Sequence, residues 1–125
     1  MVRGIGVDII EIDRIRQSIE KLGELFLSKI YTPREIAYSS ARANQYQHLA
    51  ARFAAKEAVA KALSTGWSGE FRWKDVEVMN DPGGQPRITL TGKLRDQLRS
   101  STIHLSMSHS ETHVVAVVVI EEEGE

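Results

Sequence analysis

Cysteine is absent from this chain of 125 residues, which excludes disulfide bonds, thiolate metal sites and a cysteine nucleophile. Long apolar runs are absent as well, because the longest one, at residues 114–120, is far shorter than the ~20 residues of a membrane-spanning helix. The N-terminal residues show no apolar signal region. These absences predict a cytoplasmic protein that is neither secreted nor inserted in a membrane.

A strong excess of positive charge is also missing, since the formal net charge is −1. Nucleic acid is therefore not an expected partner. The charge is nevertheless uneven along the chain. Residues 1–61 contain ten Lys/Arg and seven Asp/Glu, whereas residues 62–125 contain six and ten. We therefore expect the cationic residues that bind a ligand or a partner to lie in the first half.

Hydrophobic periodicity predicts a single α+β domain over residues 1–125, with helices packed on a small, mostly antiparallel sheet. Residues 121–125 are acidic and are expected to form a solvated tail. Thr32 and Glu35 have the spacing of a capping box, and Thr91 is expected to cap a later helix. The predicted elements are a strand at 2–10, helices at 12–22, from residue 32 and at 44–64, a hairpin turning at 81–86, a helix at 91–98, and strands at 103–107 and 114–120.

The first candidate for chemistry is the pentapeptide GIGVD at residues 4–8. Its glycines allow another segment or a ligand to approach closely, and Asp8 is an acid at the end of an apolar strand. An acid in that position is also commonly a cap or a turn former. This motif alone does not distinguish the two roles.

The second candidate is the alanine-rich helical segment RFAAKEAVAKA at residues 52–62. Helical geometry places Glu57 about 40° from Phe53 and one turn before Lys61. One interpretation is a surface Glu57–Lys61 pair, with the stem of Lys56 lying along apolar surface. The other is a functional site, because an alanine-rich helix usually packs on both sides and buried charges there need a ligand or a metal.

The third candidate is SMSHS at residues 106–110, where His109 follows a predicted strand. The other histidines, at 48, 104 and 113, have no comparable setting. A lone histidine in a loop is more often structural or simply exposed. The small residues at 64–69, after the long helix, either line a ligand or simply end the helix.

The order of these motifs resembles the holo-acyl-carrier-protein synthases, the short single-repeat members of the 4′-phosphopantetheinyl transferase superfamily. The resemblance covers nearly the whole chain, including the helix start at Thr32 and the hairpin at 84–86. It implies the fold of that family and its activity, which is transfer of 4′-phosphopantetheine from coenzyme A to a serine of apo acyl carrier protein in fatty acid biosynthesis. The serine hydroxyl attacks the β-phosphate, and adenosine 3′,5′-bisphosphate leaves.

The resemblance also implies roles for individual residues. Asp8 and Glu57 would hold Mg²⁺, which prefers carboxylate and phosphate oxygens. Lys61 would approach the diphosphate as a compact positive charge, and His109 would hydrogen-bond a phosphate or orient the donor. These four residues form the implied catalytic set. The implied coenzyme A ligands are Arg52, Lys61, Gly66, Gly84, Pro86, His109 and Ser110.

Acyl carrier protein is expected to dock on the first helix through Arg14, Arg16 and Lys21. The family uses a basic residue at the position of Arg14, and this half of the chain is net positive. Complementary charge of this kind mainly accelerates association with an acidic partner.

The assembly that the resemblance implies is a homotrimer with active sites between subunits. His109 would come from one subunit, and Asp8, Glu57 and Lys61 from the next. The sequence adds its own argument, because the predicted strand at 114–120 is apolar on both faces and both faces therefore need cover.

Two alternative functions remain open at this point. One is a related transferase that modifies carrier domains in secondary metabolism, although that branch resembles two fused copies and this chain has the length of one. The other is a catalytically silent module that binds a carrier protein, which the intact acidic, lysine and histidine positions argue against.

Overall fold

The computed structural model describes residues 1–63 and 71–123 and confirms the predicted α+β class. The chain begins with a strand, continues through four helices and ends with two strands that follow a hairpin and a short helix. The elements are β1 (Val2–Glu11), α1 (Ile12–Leu22), α2 (Glu24–Ile30), α3 (Pro33–Ser40), α4 (Gln45–Leu63), a 3₁₀ turn (Trp73–Asp75), β2 (Val76–Asn80), β3 (Pro86–Leu90), α5 (Gly92–Gln97), β4 (Ser101–His109) and β5 (His113–Glu122).

The strands form two separate antiparallel sheets. The larger one has the order β1-β5-β4, so the last strand lies in the middle, and the smaller one is the β2-β3 hairpin. In the larger sheet Ala116 of β5 pairs with Asp8 on one side and with Met107 on the other. Because alternate residues of a strand share one face, this register places Asp8 on the side of the sheet that packs against α4.

Helix α4 packs closely on β1 because glycine occupies the contact positions. A Cβ atom on Gly6 would lie 2.8 Å from both the Ala58 carbonyl carbon and the Ala62 nitrogen, and closer still to the Ala58 carbonyl oxygen. Gly4 meets the backbone of Ala62 in the same way. The two glycines and the alanines of α4 therefore form one close-packed contact, and this contact brings Asp8 next to the helix.

A buried ion pair joins α4 to two other elements. The Lys56 ammonium lies 2.9 Å from Glu35 Oε1, and both side chains are fully buried. Glu35 also accepts from the backbone N–H of Thr32 and of Val78, so the predicted capping box is present and has a third, buried link. The interpretation in which Lys56 lies along the surface is wrong, because the site of its ammonium is interior.

Three local expectations differ from the structure. Helix α2 has seven residues, too few for a clear period, and was not predicted as a helix. Thr91 precedes α5 as expected, but its hydroxyl donates to Asp75 Oδ1 at 3.3 Å instead of capping the helix. Strand β5 continues through Glu122, so the first two residues of the predicted tail belong to the sheet.

On β1 and at Val117 of β5, the outer face of the larger sheet is apolar and uncovered in the single chain. On β1, Ile5, Val7 and Ile9 are 64%, 53% and 66% exposed, and Val117 of β5 lies on the same face. The opposite face of β5 is buried against α4, at Val114, Ala116, Val118 and Ile120. Among the described helices, none combines the length and the apolar character needed to span a bilayer.

Candidate active site

Asp8 and Lys61 meet where β1 runs beside the last turns of α4. The Lys61 ammonium lies 3.0 Å from Asp8 Oδ1 and also donates to the carbonyl oxygen of Val7 at 3.1 Å. Asp8 is mostly covered, with 14% of its side chain exposed, whereas half of Lys61 remains exposed. The sequence suggested Lys61 as a surface partner of Glu57, but in the structure its ion pair is with the acid of the first motif.

Glu57 faces the same place as Asp8. The two carboxylates line one cavity of about 300 Å³. Partial burial raises the pKa of Glu57, and the negative charge of Asp8 raises it further, while Lys61 and Arg14 act in the opposite direction. Two carboxylates that share one cavity are a suitable site for a cation.

The remaining walls of this acidic cavity come from α1, α2 and α4. Arg14 and Ser18 supply the polar part of the wall, and Phe26 and Phe53 supply an aromatic part. The two aromatic rings are stacked with centroids 6.3 Å apart. The cavity therefore combines an acidic end, one arginine and an apolar side, which suits a ligand that has both a charged and an uncharged portion.

The residues around this cavity fit a magnesium ion. Mg²⁺ is usually held by one or two carboxylates, with substrate phosphates and water completing its coordination. Asp8 and Glu57 provide two carboxylates, whereas the described residues contain no cluster of three or more His, Asp or Glu that would form an all-protein metal site. The donor set thus suits a metal that is shared with a phosphate ligand.

A second cavity, of about 280 Å³, collects four of the predicted coenzyme A ligands. Arg52 of α4, Gly84 and Pro86 of the hairpin, and His109 of β4 all line it. Arg52 is 1% exposed and donates to Asn80 Oδ1 at 2.9 Å, yet its Nε is buried without a hydrogen-bond partner among the described residues. A buried guanidinium with spare donor capacity is well suited to bind an anion.

Three further residues, Tyr38, Arg42 and His48, form a cluster with Arg52 beside this basic cavity, and sequence reasoning missed them. The guanidinium groups of Arg42 and Arg52 lie over the Tyr38 ring, at 3.3 Å and 4.5 Å from its centroid. His48 contacts the same ring edge-on, at a centroid distance of 5.6 Å. Burial lowers the pKa of His48, and the positive charges of Arg52 and Arg42 lower it further. The i,i+4 spacings of Tyr38 with Arg42 and of His48 with Arg52 are the signal that could have revealed this cluster.

Among the described residues, the predicted coenzyme A ligand Ser110 does not line the basic cavity. Ser110 forms the turn between β4 and β5, where its Oγ accepts from the backbone N–H of Thr112 and of His113. Its hydroxyl lies with His109 beside a smaller hollow of about 200 Å³. Gly66 lies outside the residues that the structure describes.

The three cations predicted to bind the carrier protein differ in their surroundings. Arg14 lines the acidic cavity, so it lies next to Glu57. Arg16 instead forms ion pairs with Asp13 and Glu20 on its own helix. Lys21 is exposed in the last turn of α1. Of the three, Arg14 has the position that best connects a partner on α1 with the acidic cavity.

The acidic and basic cavities are separate within one chain. None of the described residues lines both. Asp8 on β1 and His109 on β4 lie on the two outer strands of the sheet, with β5 between them, which corresponds to roughly 10 Å across the strands. One chain therefore presents two separate cavities, one lined by two carboxylates and the other by a buried guanidinium.

Comparison with known proteins gives the class of this chain. A family model described as the 4′-phosphopantetheinyl transferase superfamily matches residues 4–118, which include all of the described residues that line the two cavities. The chain belongs to this superfamily.

Individual relatives and solved structures that match this chain are holo-acyl-carrier-protein synthases, one branch of the superfamily. The holo-acyl-carrier-protein synthase of Koribacter versatilis is 46% identical over 125 residues, which cover 98% of this chain and 100% of that protein. The crystal structure of the Neisseria meningitidis holo-acyl-carrier-protein synthase matches with a TM-score of 0.86 and 36% identity, over 98% of this chain and 100% of its own. That of the Bacillus anthracis synthase in complex with CoA (3′,5′-ADP) matches with a TM-score of 0.81 and 37% identity, over 98% and 99%. The resemblance found from the motifs is confirmed.

Proposed function

We propose that this chain is a holo-acyl-carrier-protein synthase, which transfers 4′-phosphopantetheine from coenzyme A to a serine of apo acyl carrier protein for fatty acid biosynthesis. The observation that carries the proposal is the convergence of Asp8, Glu57 and Lys61 on one site. These residues come from motifs about fifty positions apart, and together they supply the charges that a diphosphate and its metal require. In the proposed reaction the serine oxygen forms a bond to the β-phosphorus, the phosphoanhydride bond breaks, and the serine proton is released.

Asp8 and Glu57 would hold Mg²⁺ together with the diphosphate of coenzyme A. When bound, the ion would neutralise negative charge on the diphosphate and on the leaving group. Lys61 is placed to contribute a second positive charge, since its ammonium already lies against Asp8 and half of its side chain is exposed. Charge neutralisation of this kind is usually the largest contribution to phosphoryl transfer.

The basic cavity would hold the remaining phosphate of coenzyme A. Arg52 and Arg42 offer two guanidinium groups fixed over one aromatic ring, and His109 closes the cavity from the end of β4. Gly84 and Pro86 form another part of the wall, and the absence of a side chain at Gly84 leaves room for a bulky ligand. Ser110 and Gly66 would lie at the margin of this region.

The carrier protein would dock on α1. Arg14 already lines the acidic cavity, and Lys21 and Leu22 are exposed further along the helix. A partner on this helix would bring its serine towards Asp8 and Glu57. Because Arg16 is held by two acids of its own helix, we propose a smaller contribution from it than from Arg14.

The proposed assembly is a homotrimer in which each active site combines the acidic half-site of one subunit with the basic half-site of the next. The separation of the two cavities within one chain supports this arrangement, because neither half alone offers both a metal site and a second phosphate site. The uncovered apolar face at Ile5, Val7, Ile9 and Val117 supports it too, since such a face is normally buried in an interface. Residues 1–125 would form one transferase domain of a cytoplasmic enzyme.

Mass spectrometry tests the activity directly. Apo acyl carrier protein is incubated with coenzyme A, Mg²⁺ and this protein, and its mass is compared with a sample that lacks the enzyme. We expect a gain of one phosphopantetheine and release of adenosine 3′,5′-bisphosphate. Binding of the carrier with no mass gain would favour the silent carrier-binding module instead.

A further inference from the structure

The buried ammonium of Lys56 connects α4 to the strand that carries one wall of the basic cavity. It donates to the carbonyl oxygen of Trp73 at 2.9 Å and also to that of Val76, the first residue of β2. Its ion-pair partner Glu35 accepts from the N–H of Val78 at 2.8 Å. All three N–H donors of this ammonium are therefore used. It binds Val76 directly and Val78 through Glu35, and these are two successive inward-facing residues of β2.

The next inward residue of β2 reaches the basic cavity itself. Asn80 accepts from Arg52 at 2.9 Å through Oδ1, and its side-chain amide donates to the carbonyl oxygen of Gly84 at 2.9 Å. Arg52 lies one helical turn before Lys56 on α4. Strand β2 is thus held to α4 by two cations, Lys56 and Arg52. The contacts of Lys56 therefore help to fix the position of Asn80, which in turn links Arg52 to Gly84.

We infer that Lys56 is a positioning residue for coenzyme A: together with Glu35 it sets the distance between Arg52 and the hairpin wall of the basic cavity. This inference rests on the proposed function, since it assigns coenzyme A to that cavity. It predicts an effect on donor binding that is separable from stability and from the carrier protein. Lys56 does not line either cavity.

The experiment compares Lys56→Met with a matched core truncation, Val118→Ala, whose side chain is buried in β5. Melting temperature, equilibrium binding of coenzyme A by calorimetry, and the KM values for coenzyme A and for the carrier protein are measured for each. Lys56→Met is expected to weaken coenzyme A binding and to raise its KM about tenfold, with the carrier KM changed by less than about twofold. Val118→Ala should melt at a lower temperature with both KM values close to those of the wild type.

The double variant Glu35→Gln/Lys56→Met replaces Lys56→Met if the single variant does not fold, because neutralising both partners avoids an uncompensated buried charge. The same loss of coenzyme A affinity is expected from it. Unchanged affinity in a folded Lys56 variant, with normal binding by the wild type, would overturn this inference alone. A wild-type protein that does not bind coenzyme A would overturn the proposed function and, with it, this inference.

Discussion

The glycine at position 6 offers a quantitative test of how the fold supports the site. In Gly6→Ala, the new Cβ would lie 2.8 Å from two backbone atoms of α4, whereas ordinary contact begins at 3.4 Å. The strand and helix must therefore separate by well over ~0.6 Å, the difference between those two distances, because the Ala58 carbonyl oxygen would lie closer still. Both neighbours are backbone, so no side chain can rotate away to relieve the overlap.

The cost should appear in stability and in activity together. Forcing an extra methyl group into a close-packed contact typically costs about 1–3 kcal/mol, and each kcal/mol should lower the melting temperature by roughly 3–5 °C for a chain of this size. Asp8 lies two residues further along the same strand, so the separation also moves it relative to Glu57 and Lys61. Displacements of this order in a catalytic site can reduce turnover by about 10–100-fold.

Gly83→Ala is the matched control. Its Cβ would meet only a side-chain oxygen of Asp81, at 3.4 Å, and Gly83 does not adopt a positive φ. The melting temperature of Gly83→Ala, measured by calorimetry, should therefore be close to that of the wild type. Its rate of carrier modification, measured well below the melting temperature, should be close to the wild-type rate as well. If Gly6→Ala matched that control in both measurements, the close contact between β1 and α4 would not be what positions Asp8.

Three further predictions concern the proposed ligands. Asp8→Asn and Glu57→Gln should each reduce turnover about 100-fold or more and weaken Mg²⁺ binding in the presence of coenzyme A by calorimetry; full turnover would contradict the metal assignment. Arg14→Glu should raise the KM for the carrier protein about tenfold at low salt, and the effect should shrink as salt increases; an equal effect from Arg16→Glu would count against the pairing seen on α1. Tyr38→Leu should raise the KM for coenzyme A roughly 2–30-fold, whereas Tyr38→Phe keeps the ring and should change it little.

Much of the fold was predictable because its strongest elements follow simple periods. The predicted strand at 114–120 is an uninterrupted apolar run, and α4 consists of nineteen residues that are mostly good helix formers. Both elements were therefore predicted. The capping box at Thr32 also has a sequence signature that depends on four adjacent positions. Helix α2 was not predicted, because its seven residues span only two turns and show no clear amphipathic pattern.

Residues of the candidate site could be proposed from the sequence where a short motif contains the chemistry. Interaction partners at distant positions could not be. The motifs suggested Asp8, Glu57 and His109, but the partner of Lys56 is Glu35, twenty-one positions away on another helix. Likewise, the ion pair of Lys61 is with Asp8, because the glycines of β1 allow that strand to reach α4. Pairings of this kind depend on how elements pack, which local spacing does not encode.

We propose that each active site is completed by two chains, and subunit complementation tests this arrangement most directly. Inactive Asp8→Asn and inactive His109→Ala proteins are mixed under conditions where subunit exchange is verified by mass spectrometry, and carrier modification is then measured. Some interfaces in the mixed assemblies would combine an intact acidic half-site with an intact basic half-site. Partial recovery of activity, in assemblies of three times the 14.0 kDa chain mass, is the predicted result. No recovery after verified exchange, or full activity of a monomer, would contradict active sites shared between subunits.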